Sequence, residues 1–425
     1  MELPINWKQV ELGTIATKMF GGGTPSTKEP ELWSGSVPWI TSKKLGEKLY
    51  LNSGEKNISD QALQSSTTRL VPAKSLIVAT RVGVGKVGIN DIELAINQDL
   101  AALIVDGSAN DLGFLAYQIM SEGVQKEFSA HKRGATIQGI TRDHLKRISM
   151  VIPPFDEQRK IAAVLSLVQR AIEQQEQLIV LTTELRKALM HKLFTEGLRG
   201  EQQKETEIGP IPESWEVVPL GSVAKVGNGS TPKRTNLSYW ENGSVPWLNS
   251  TKIHELFIES ADQFVTPLAV KECHLPHVPA GSLLIAITGQ GKTLGNSALV
   301  RFDTHINQHL AYARFTSEYV HPEYVLWYMQ TQYERLRSIA QAGGSTKGAL
   351  TCGYLKTVPI PVPSPQEQQE VAEVLGLLHA KSENAYSKRN ALHALFRTLL
   401  HQLMTAQIRV NELRVEDLCL SEECV

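Results

Sequence analysis

The segment most suited to chemistry is glycine-rich and carries a lysine: residues 286–293 (AITGQGKT), directly after an apolar stretch. With Ala286 in place of the first glycine, it fits a relaxed phosphate-loop pattern, in which backbone amides and the lysine hold the phosphates of a nucleotide. Such a loop opens into a helix, whereas residues 294–300 (LGNSALV) indicate a turn and then a strand. The comparable segment 79–87 (ATRVGVGKV) has no hydroxyl after its lysine to bind magnesium. We therefore predict a hairpin loop and keep a phosphate-loop NTPase as an alternative.

A second motif, residues 152–155 (IPPF), is similar to the Asn/Asp-Pro-Pro-Tyr/Phe signature of amino-group methyltransferases. That chemistry needs an amide or carboxylate oxygen that accepts a hydrogen bond from the flipped base, and Ile152 has none. The proline pair instead predicts a stop before a long helix, with Asp156, Glu157 and Gln158 in its first turn.

Metal and nucleophile sites are not predicted either. Cys419 and Cys424 stand in an acidic tail with no histidine between or after them, which favours free thiols over a zinc site. Cys273 is followed by His274 and His277, but the corresponding residues 68–71 (TRLV) offer no ligands. No Gly-x-Ser-x-Gly segment for a nucleophilic serine occurs. We predict a chain that has no catalytic residues and binds no cofactor or metal itself.

Composition describes an ordinary globular protein. The chain has 425 residues, which is long enough for two or three domains. Of these residues 42% are hydrophobic and 20% are charged. The net charge of −1, from 43 basic and 44 acidic residues, does not indicate a polyanionic partner. No apolar run approaches the roughly 18–20 residues that span a bilayer, and residues 1–13 (MELPINWKQVELG) do not read as a signal peptide. The four cysteines do not form a disulfide framework, so we expect a cytoplasmic protein without a membrane partner.

The chain contains two copies of one unit. Residues 35–39 (GSVPW) recur as 243–247, and residues 96–98 (INQ) recur as 306–308, at offsets of 208 and 210. Further matches follow in the same order: Trp7 with Trp215, Leu12-Gly13 with Leu220-Gly221, Thr24-Pro25 with Thr231-Pro232, Val71-Pro72 with Val278-Pro279, Thr136 with Thr346, and Glu157-Gln158 with Glu367-Gln368.

Each copy changes character part-way along. Short β-branched runs with glycine and proline turns predict an α+β domain, and about 40 residues rich in Gln, Glu, Leu and Ala then predict a helix of roughly 60 Å. The predicted segments are domain 1 (residues 1–153), a first long helix (154–196), a linker (197–214), domain 2 (215–363), a second long helix (364–406) and a tail (407–425). Each domain carries a net charge of about +2: domain 1 contains 17 basic and 15 acidic residues, and domain 2 contains 12 basic and 10 acidic residues.

Periodicity indicates that the two long helices pair with each other. In the second helix, alternating steps of four and three predict this seam: Val371, Leu375, Leu378, Ser382, Ala385, Arg389, Leu392, Phe396, Leu399 and Leu403. In the first helix the seam begins with Ile161, Leu165, Val168, Ile172, Gln175 and Ile179, and the apolar pattern then shifts to Leu178, Leu181, Leu185 and Ala188. Packing of each helix on its own domain is the alternative.

Two α+β domains, each followed by a helix that opens on proline and Glu-Gln, resemble the specificity subunit of type I restriction-modification enzymes. The resemblance covers nearly the whole chain. The motifs that carry it are Gly23-Thr24-Pro25-Ser26, Trp33 with residues 37–40 (VPWI), Asn97-Gln98, residues 153–158 (PPFDEQ), residues 208–215 (IGPIPESW), Gly229-Ser230-Thr231-Pro232, residues 245–248 (VPWL), Asn307-Gln308 and residues 363–368 (PSPQEQ).

This resemblance implies two pseudo-symmetric target recognition domains held apart by an antiparallel coiled-coil pair of helices. Each domain would read half of a bipartite sequence in double-stranded DNA. It also implies two methyltransferase subunits that modify adenine and two restriction subunits with motor and nuclease activity as partners. S-adenosylmethionine, ATP and Mg would then bind to those partners. A coiled-coil adaptor without a DNA role is a further alternative.

Base reading requires side chains with paired donors and acceptors on loops. The Asn-Gln pairs recur in both copies, so a shared structural or phosphate role is at least as well supported as base reading. Positions that differ between the copies, such as Arg81 against Thr288 and Gln138 against Gly348, are better candidates for reading sequence. The candidate DNA-binding residues are Thr24, Ser26, Lys43, Arg81, Lys86, Gln98, Arg133, Thr136, Gln138, Thr231, Arg234, Lys252, Gln290, Lys292, Gln308, Ser345, Thr346 and Lys347.

Overall fold

A computed structural model describes residues 4–46, 48–132, 139–289, 291–342 and 349–410. The chain divides into two compact units that do not coincide with its two halves. Unit 1 holds the chain up to Gln177 together with the chain from Ala385 onward, and unit 2 is the continuous stretch Leu178–Asn384. Each unit therefore contains one α+β domain and one segment of each long helix.

Domain 1, in unit 1, alternates short strands and helices as predicted. Its strands are β1 Lys8–Glu11, β2 Ala16–Gly21, β3 Val37–Ile40, β4 Tyr50–Leu51, β5 Lys56–Ile58, β6 Arg69–Val71, β7 Ser75–Ala79, β8 Val87–Asn90, β9 Leu94–Ile96, β10 Leu100–Val105 and β11 Ser149–Ile152. Its helices are α1 Leu12–Ile15, α2 Asp60–Ser65, α3 Leu112–Met120, α4 Glu122–His131 and α5 Arg142–Lys146, with a 3-10 helix at Pro30–Trp33.

Two sheets form the body of domain 1. One runs in the order β2-β10-β7-β8-β4 and the other in the order β5-β3-β9-β6, while β1 pairs separately with β11. Strands β7 and β10 are antiparallel neighbours, and every residue of β7 is buried. The apolar run 75–79 is therefore a central strand, which is why it lacks the alternation of a half-exposed strand.

The first long helix, α6 Phe155–Glu196, begins directly after the proline pair, as predicted. A short antiparallel hairpin follows it, β12 Gln203–Thr206 with β13 Gly209–Pro212, in the stretch predicted as a linker. Ile211 is buried and Gly209 has a positive φ of 99°, so this stretch is ordered by its own turn and its own apolar contact.

Domain 2, in unit 2, repeats the plan of domain 1. Its sheets run in the orders β15-β22-β19-β20-β17 and β18-β16-β21, and β14 pairs with β23. Its strands are β14 Glu216–Pro219, β15 Ala224–Asn228, β16 Val245–Leu248, β17 Phe257–Ile258, β18 Gln263–Val265, β19 Leu283–Ala286, β20 Ser297–Val300, β21 His305–Ile306, β22 Leu310–Phe315 and β23 Pro359–Val362. Its helices are α7 Leu220–Val223, α8 Pro267–Glu272, α9 Pro322–Thr331, α10 Tyr333–Ala342 and α11 Cys352–Thr357, with 3-10 helices at Leu237–Tyr239 and Ser250–His254.

The second long helix is α12 Pro365–Met404, and the order of its contacts with α6 shows that the segments of the two helices run antiparallel in both units. In unit 1, His393 of α12 lies 3.8 Å from Glu176 of α6. In unit 2, Arg186 of α6 bonds to the Nδ1 of His379 of α12 at 3.0 Å. Burial, assisted by the positive charge of Arg186, lowers the pKa of His379, so a neutral imidazole is the form that fits this seam.

Six of the ten seam positions predicted for α12 are buried, namely Val371, Leu375, Ser382, Ala385, Phe396 and Leu403, whereas the predicted shift in α6 is wrong. Leu181 and Leu185 are exposed, at 55% and 49% of their surface. The α6 seam continues through Ile179, Thr182 and Arg186. Thr182 tolerates burial because its hydroxyl donates to the carbonyl of Leu178 one turn earlier, at 2.7 Å. Thr182 and Arg186 interrupt the apolar pattern of the α6 seam, so the pattern follows the exposed residues Leu181 and Leu185 instead.

In unit 1 a buried carboxylate joins domain 1, the start of α6 and the segment that follows α12. Glu157, in the first turn of α6, accepts a hydrogen bond from the indole N–H of Trp7 at 3.0 Å. Arg409, beyond the end of α12, donates to both oxygens of the same carboxylate, at 2.7 and 3.0 Å. The Glu157 side chain is only 8% exposed, so this pairing is what makes the burial of its charge tolerable.

Unit 2 contains the equivalent arrangement. Glu367, in the first turn of α12, accepts from the indole N–H of Trp215 at 3.3 Å and from the backbone N–H of Leu198 at 2.9 Å. Arg199, which follows α6, lies 3.9 Å from the same carboxylate. Gly197, at a φ of +65°, turns the chain so that the amide of Leu198 can reach it. We call these two clusters the Trp-Glu-Arg nodes.

The glutamine that follows each of these glutamates fixes the domain to the same helix start. Gln158 donates to the carbonyl of Pro153 at 3.0 Å and accepts from the backbone N–H of Asp111 at 2.9 Å. Gln368 donates to Pro363 at 2.9 Å and accepts from His321 at 2.8 Å. The duplicated Glu-Gln motif is therefore an anchoring device for the domain.

Replacing Glu157 with Ala should destabilise unit 1 by about 2–3 kcal/mol, because it leaves the Trp7 indole and the Arg409 guanidinium without their shared acceptor. The measurement is urea unfolding followed by amide hydrogen exchange, so that unit 1 is monitored separately. Lys126→Ala is the control, since it removes an ion pair whose side chains are 75% and 62% exposed and should change stability by less than about 0.5 kcal/mol. Equal effects of the two substitutions would contradict the importance of the node.

Candidate nucleic-acid interface

The glycine-lysine segment of domain 2 is a hairpin loop. It connects β19 to its antiparallel neighbour β20, so the chain passes from the loop into a strand and not into a helix. Tyr333 and Arg337 hold the loop by donating to the carbonyls of Lys292 and Gly291. A phosphate loop requires the N-terminus of a helix at this point, and the NTPase alternative is therefore wrong in its structural premise.

Three loops meet at one edge of each domain. In domain 1 they are the Thr-Pro loop (residues 22–28), the Asn-Gln turn (97–99) and the Gly-Lys loop (80–86). The amide of Gly23 donates to the carbonyl of Ile96 at 3.0 Å, and the amides of Thr80 and Arg81 donate to the carbonyl of Asp99 at 2.8 and 3.2 Å. These backbone bonds connect all three loops at one place.

Domain 2 repeats this meeting point with its Thr-Pro loop (229–235), Asn-Gln turn (307–309) and Gly-Lys loop (287–296). The amide of Ser230 donates to Ile306 and that of Ile287 to His309, both at 3.0 Å. Glycine is required at the first position of the Thr-Pro loop. A Cβ on Gly22 or on Gly229 would lie 1.9 Å from the carbonyl oxygen of Ile96 or Ile306, respectively.

A threonine orients the glutamine of the Asn-Gln turn in both domains. The hydroxyl of Thr24 donates to the Oε1 of Gln98 at 2.5 Å, and Thr231 makes the same bond to Gln308. Because the carbonyl oxygen is occupied, the amide nitrogen of each exposed glutamine points its N–H groups away from the threonine. The turn thus presents oriented donors of the kind that phosphates or base edges accept.

The residue after this glutamine differs between the domains. Asp99 accepts from the side chain of Asn97 at 3.0 Å and stands beside the backbone of Arg81. His309 instead bonds through Nδ1 to the hydroxyl of Thr288 at 2.5 Å, and its Nε2 lies 3.3 Å from the amide nitrogen of Gln308. The same frame therefore carries an acid next to an arginine in domain 1 and an imidazole next to a hydroxyl in domain 2.

The lysines predicted for the interface differ in their surroundings. Lys43, Lys86 and Lys292 are exposed, and the Lys86 side chain passes over Gly46 and Gly83. Lys252, in contrast, is 9% exposed and bonds to Glu255 at 2.8 Å and to Asp262 at 3.2 Å. Both acids raise the pKa of Lys252, against the opposing effect of its desolvation, and we leave this residue out of the proposed interface.

Two further predicted residues contact tryptophans. The carbonyl of Ser26 accepts from the indole N–H of Trp33 at 3.0 Å, and the guanidinium of Arg234 stacks on Trp240. The remaining predicted residues lie outside the residues that the structure describes: Arg133, Thr136, Gln138, Gln290, Ser345, Thr346 and Lys347. Gly348, compared above with Gln138, and the tail cysteines Cys419 and Cys424 also lie outside them.

Sequence reasoning missed Asp99 and His309, although the signal was present: they are the first mismatch after the repeated Asn-Gln pair. It also missed Lys56, which lies over Trp33. Within the described ranges, no group of His, Cys, Asp and Glu side chains is arranged to hold a metal. In the same part of the chain, none of the helices has both the length and the apolar character needed to cross a membrane.

The fold and the repeated three-loop edge define a duplicated recognition protein, with one loop set in each of two related α+β domains. Residues 4–182 and 212–393 match the family described as Type I restriction modification DNA specificity domain. The chain belongs to this family, and the resemblance inferred from its motifs is confirmed.

Curated relatives are specificity subunits of type I restriction enzymes. The MjaIX specificity subunit of Methanocaldococcus jannaschii is 26% identical over 423 residues, which are 97% of this chain and 96% of the relative. The EcoR124I/EcoR124II specificity subunit of Escherichia coli is 32% identical over 166 residues, 38% of this chain and 40% of the relative.

Solved structures share the fold. The S subunit of a type I restriction-modification system from M. genitalium superposes with a TM-score of 0.64 at 19% identity, covering 95% of this chain and 97% of that one. A chain from a study of complex assembly and conformational transition of the type I R-M system gives a TM-score of 0.52 at 16% identity, covering 96% of this chain and all of that one.

Removing the orienting hydroxyls should weaken DNA binding without changing the sequence that is read. Thr24→Val and Thr231→Val each release a glutamine amide, and we expect about a fivefold loss of affinity per substitution, the net value of one hydrogen bond of ~1 kcal/mol. Fluorescence anisotropy with specific and random duplexes measures this loss. Thr27→Val, at an exposed neighbouring hydroxyl, is the matched control. Wild-type affinity in both test variants would contradict this role of the threonines.

Proposed function

We propose that this chain is the subunit that reads a bipartite DNA sequence for a type I restriction-modification complex. Domain 1 reads one half of the target in double-stranded DNA and domain 2 reads the other. The chain is not itself catalytic. It holds two methyltransferase subunits that modify adenine and two restriction subunits that translocate and cleave DNA.

The observation that carries this proposal is the three-loop edge, which is present in both domains with one shared frame and different side chains at its centre. Thr24–Gln98 and Thr231–Gln308 are the shared part. Asp99 and His309 are the part that differs. A protein that reads two different half-sites with one fold needs this combination of a constant backbone and variable side chains.

The partners supply the chemistry that this chain lacks. In the proposed complex the methyltransferase subunits bind S-adenosylmethionine, and the restriction subunits bind ATP and Mg. The small excess of basic residues in each domain suits this division, because partner subunits then contribute most of the contacts with phosphates. The chain alone should accordingly bind DNA weakly.

The half-sites are tested by mapping methylated adenines in the host genome with the gene intact, deleted and altered. Deletion should abolish methylation at one bipartite motif. His309→Asp should change or relax only the half of the motif that domain 2 reads, since one mismatched base pair costs about 1–3 kcal/mol. Asp99→His should affect only the other half. If methylation of the motif persists after deletion, this chain does not set the specificity.

The spacing is tested by lengthening both long helices together. Seven residues inserted after Gln177 and seven after Asn384 keep the seam in register and add about 10 Å, about three base pairs of DNA. We expect a motif with unchanged halves and a longer spacer. The matched control inserts seven residues after Gly200, outside both helices, and should leave the spacer unchanged. Altered half-sites in the lengthened protein would contradict separate reading by the two domains.

A further inference from the structure

Each domain contains a pair of perpendicular tryptophans beneath its Thr-Pro loop. The ring centroids of Trp33 and Trp39 are 5.0 Å apart and those of Trp240 and Trp247 are 5.2 Å apart, with interplanar angles of 88° in both pairs. In each pair the inner indole is buried and the outer one is half-buried.

All four indole N–H groups hold the backbone of the Thr-Pro loop. In domain 1, Trp39 donates to the carbonyl of Gly23 at 3.2 Å and Trp33 to that of Ser26 at 3.0 Å. In domain 2, Trp247 donates to Ser230 at 3.2 Å and Trp240 to Lys233 at 3.3 Å. The outer ring of each pair is therefore fixed beside the loop whose threonine orients the glutamine.

A positive charge lies over the outer indole in both domains, but it comes from different positions in the chain. In domain 1 it is Lys56 of β5, whose ammonium is 5.0 Å from the centroid of Trp33. Gln263 of β18 occupies the equivalent position in domain 2, because Lys56 and Gln263 pair with the inner tryptophans Trp39 and Trp247, respectively.

Domain 2 supplies the charge from its Thr-Pro loop instead. The guanidinium carbon of Arg234 lies 3.7 Å from the centroid of Trp240, and its Nη2 donates to Gln263 at 2.6 Å. The equivalent loop position in domain 1 is Thr27. Domain 1 thus has a threonine in the loop and a lysine on the strand, whereas domain 2 has an arginine in the loop and a glutamine on the strand. Both combinations place one cation over the outer indole.

No acid of the described residues neutralises either cation, although an acid precedes both strand positions. The carboxylate of Glu55 accepts from the amide of Thr41, and Asp262 pairs with Lys252 at 3.2 Å. Lys56 and Arg234 are both exposed, and within the described ranges neither forms an ion pair. Each cation therefore has one side on an indole and its remaining donors toward solvent.

We propose that these two cations are phosphate contacts that set each domain on the DNA backbone; this inference rests on the proposed function. An exposed cation over an aromatic ring contributes only about 0.5–1 kcal/mol, which does not account for supplying the charge by two different routes. A contact that recurs in domains with different half-sites must read something common to all DNA, and the phosphates are common to all of it. Because the indole fixes the position of the cation, each domain contacts the DNA backbone in a single register.

The test measures DNA affinity against salt concentration for the full chain with its methyltransferase partners, on specific and random duplexes. Lys56→Gln and Arg234→Thr should each reduce the slope of log K against log salt by about 0.9, the value of one phosphate contact. The loss of affinity should be the same on both duplexes. Adding Thr27→Arg to Lys56→Gln, or Gln263→Lys to Arg234→Thr, should restore the slope, because each pair recreates the arrangement of the other domain.

Two cations that are already paired provide the controls. Lys74 bonds to Asp91 at 2.7 Å, and Arg301 lies over Phe257 but pairs with Glu323 at 2.8 Å. Lys74→Gln and Arg301→Gln should leave the salt slope unchanged.

Three outcomes would overturn the inference. An unchanged slope with a lowered unfolding temperature would assign the cations to packing alone. A change in half-site preference would assign the two cations to base reading. If neither Thr27→Arg with Lys56→Gln nor Gln263→Lys with Arg234→Thr restored the slope, the loop and strand positions would not be equivalent sources of the charge. If the wild-type complex shows no preference between specific and random duplexes, the proposed function itself fails, which is distinguishable from all three.

Discussion

The burial of one carboxylate at the start of each long helix is the interaction on which the remaining architecture depends. Glu157 and Glu367 are nearly inaccessible to solvent, and a buried charge is tolerable only when it is paired and hydrogen-bonded. The donors in each unit are a tryptophan of the domain and groups of the chain that follows the other long helix. In unit 1 that chain contributes Arg409, and in unit 2 it contributes the backbone N–H of Leu198 and the guanidinium of Arg199. Domain, helix start and helix end are therefore specified together.

In the three-loop edge of each domain, the interactions that fix the backbone are separate from the side chains that differ between the domains. Close approach at Gly22 and Gly229, the indole bonds to the Thr-Pro loops and the Thr–Gln pairs determine where the loops lie. None of these interactions involves the side chain of Asp99 or of His309. A new half-site therefore requires new side chains on a preserved frame, which is the usual way in which loops on a rigid scaffold acquire new specificity.

Much of this fold could be predicted from the sequence, because it is encoded by local signals. The repeat, the α+β domains, the start of α6 at Phe155 and the hairpin after β19 follow from periodicity, glycine and proline. The remainder depends on which polar groups tertiary packing buries. Thr182 in the seam, Glu157 against Arg409 and Lys252 between two acids are buried, and each is tolerated because its polar atoms have a partner: a carbonyl one turn earlier, a guanidinium 252 residues away and two nearby carboxylates, respectively. Hydrophobic patterning carries no information on such pairs.

The division of the chain into units determines the order in which it can fold during synthesis. Unit 2 is one continuous stretch, whereas the core of unit 1 buries Ile161 and Leu165 together with Phe396 and Leu403. The ribosome needs about 10–40 s to add the more than 200 residues between these two sets, at typical elongation rates of ~5–20 residues per second. The domain that emerges first is thus completed last, and its half of the first helix has to remain soluble with an uncovered apolar face until the second helix arrives.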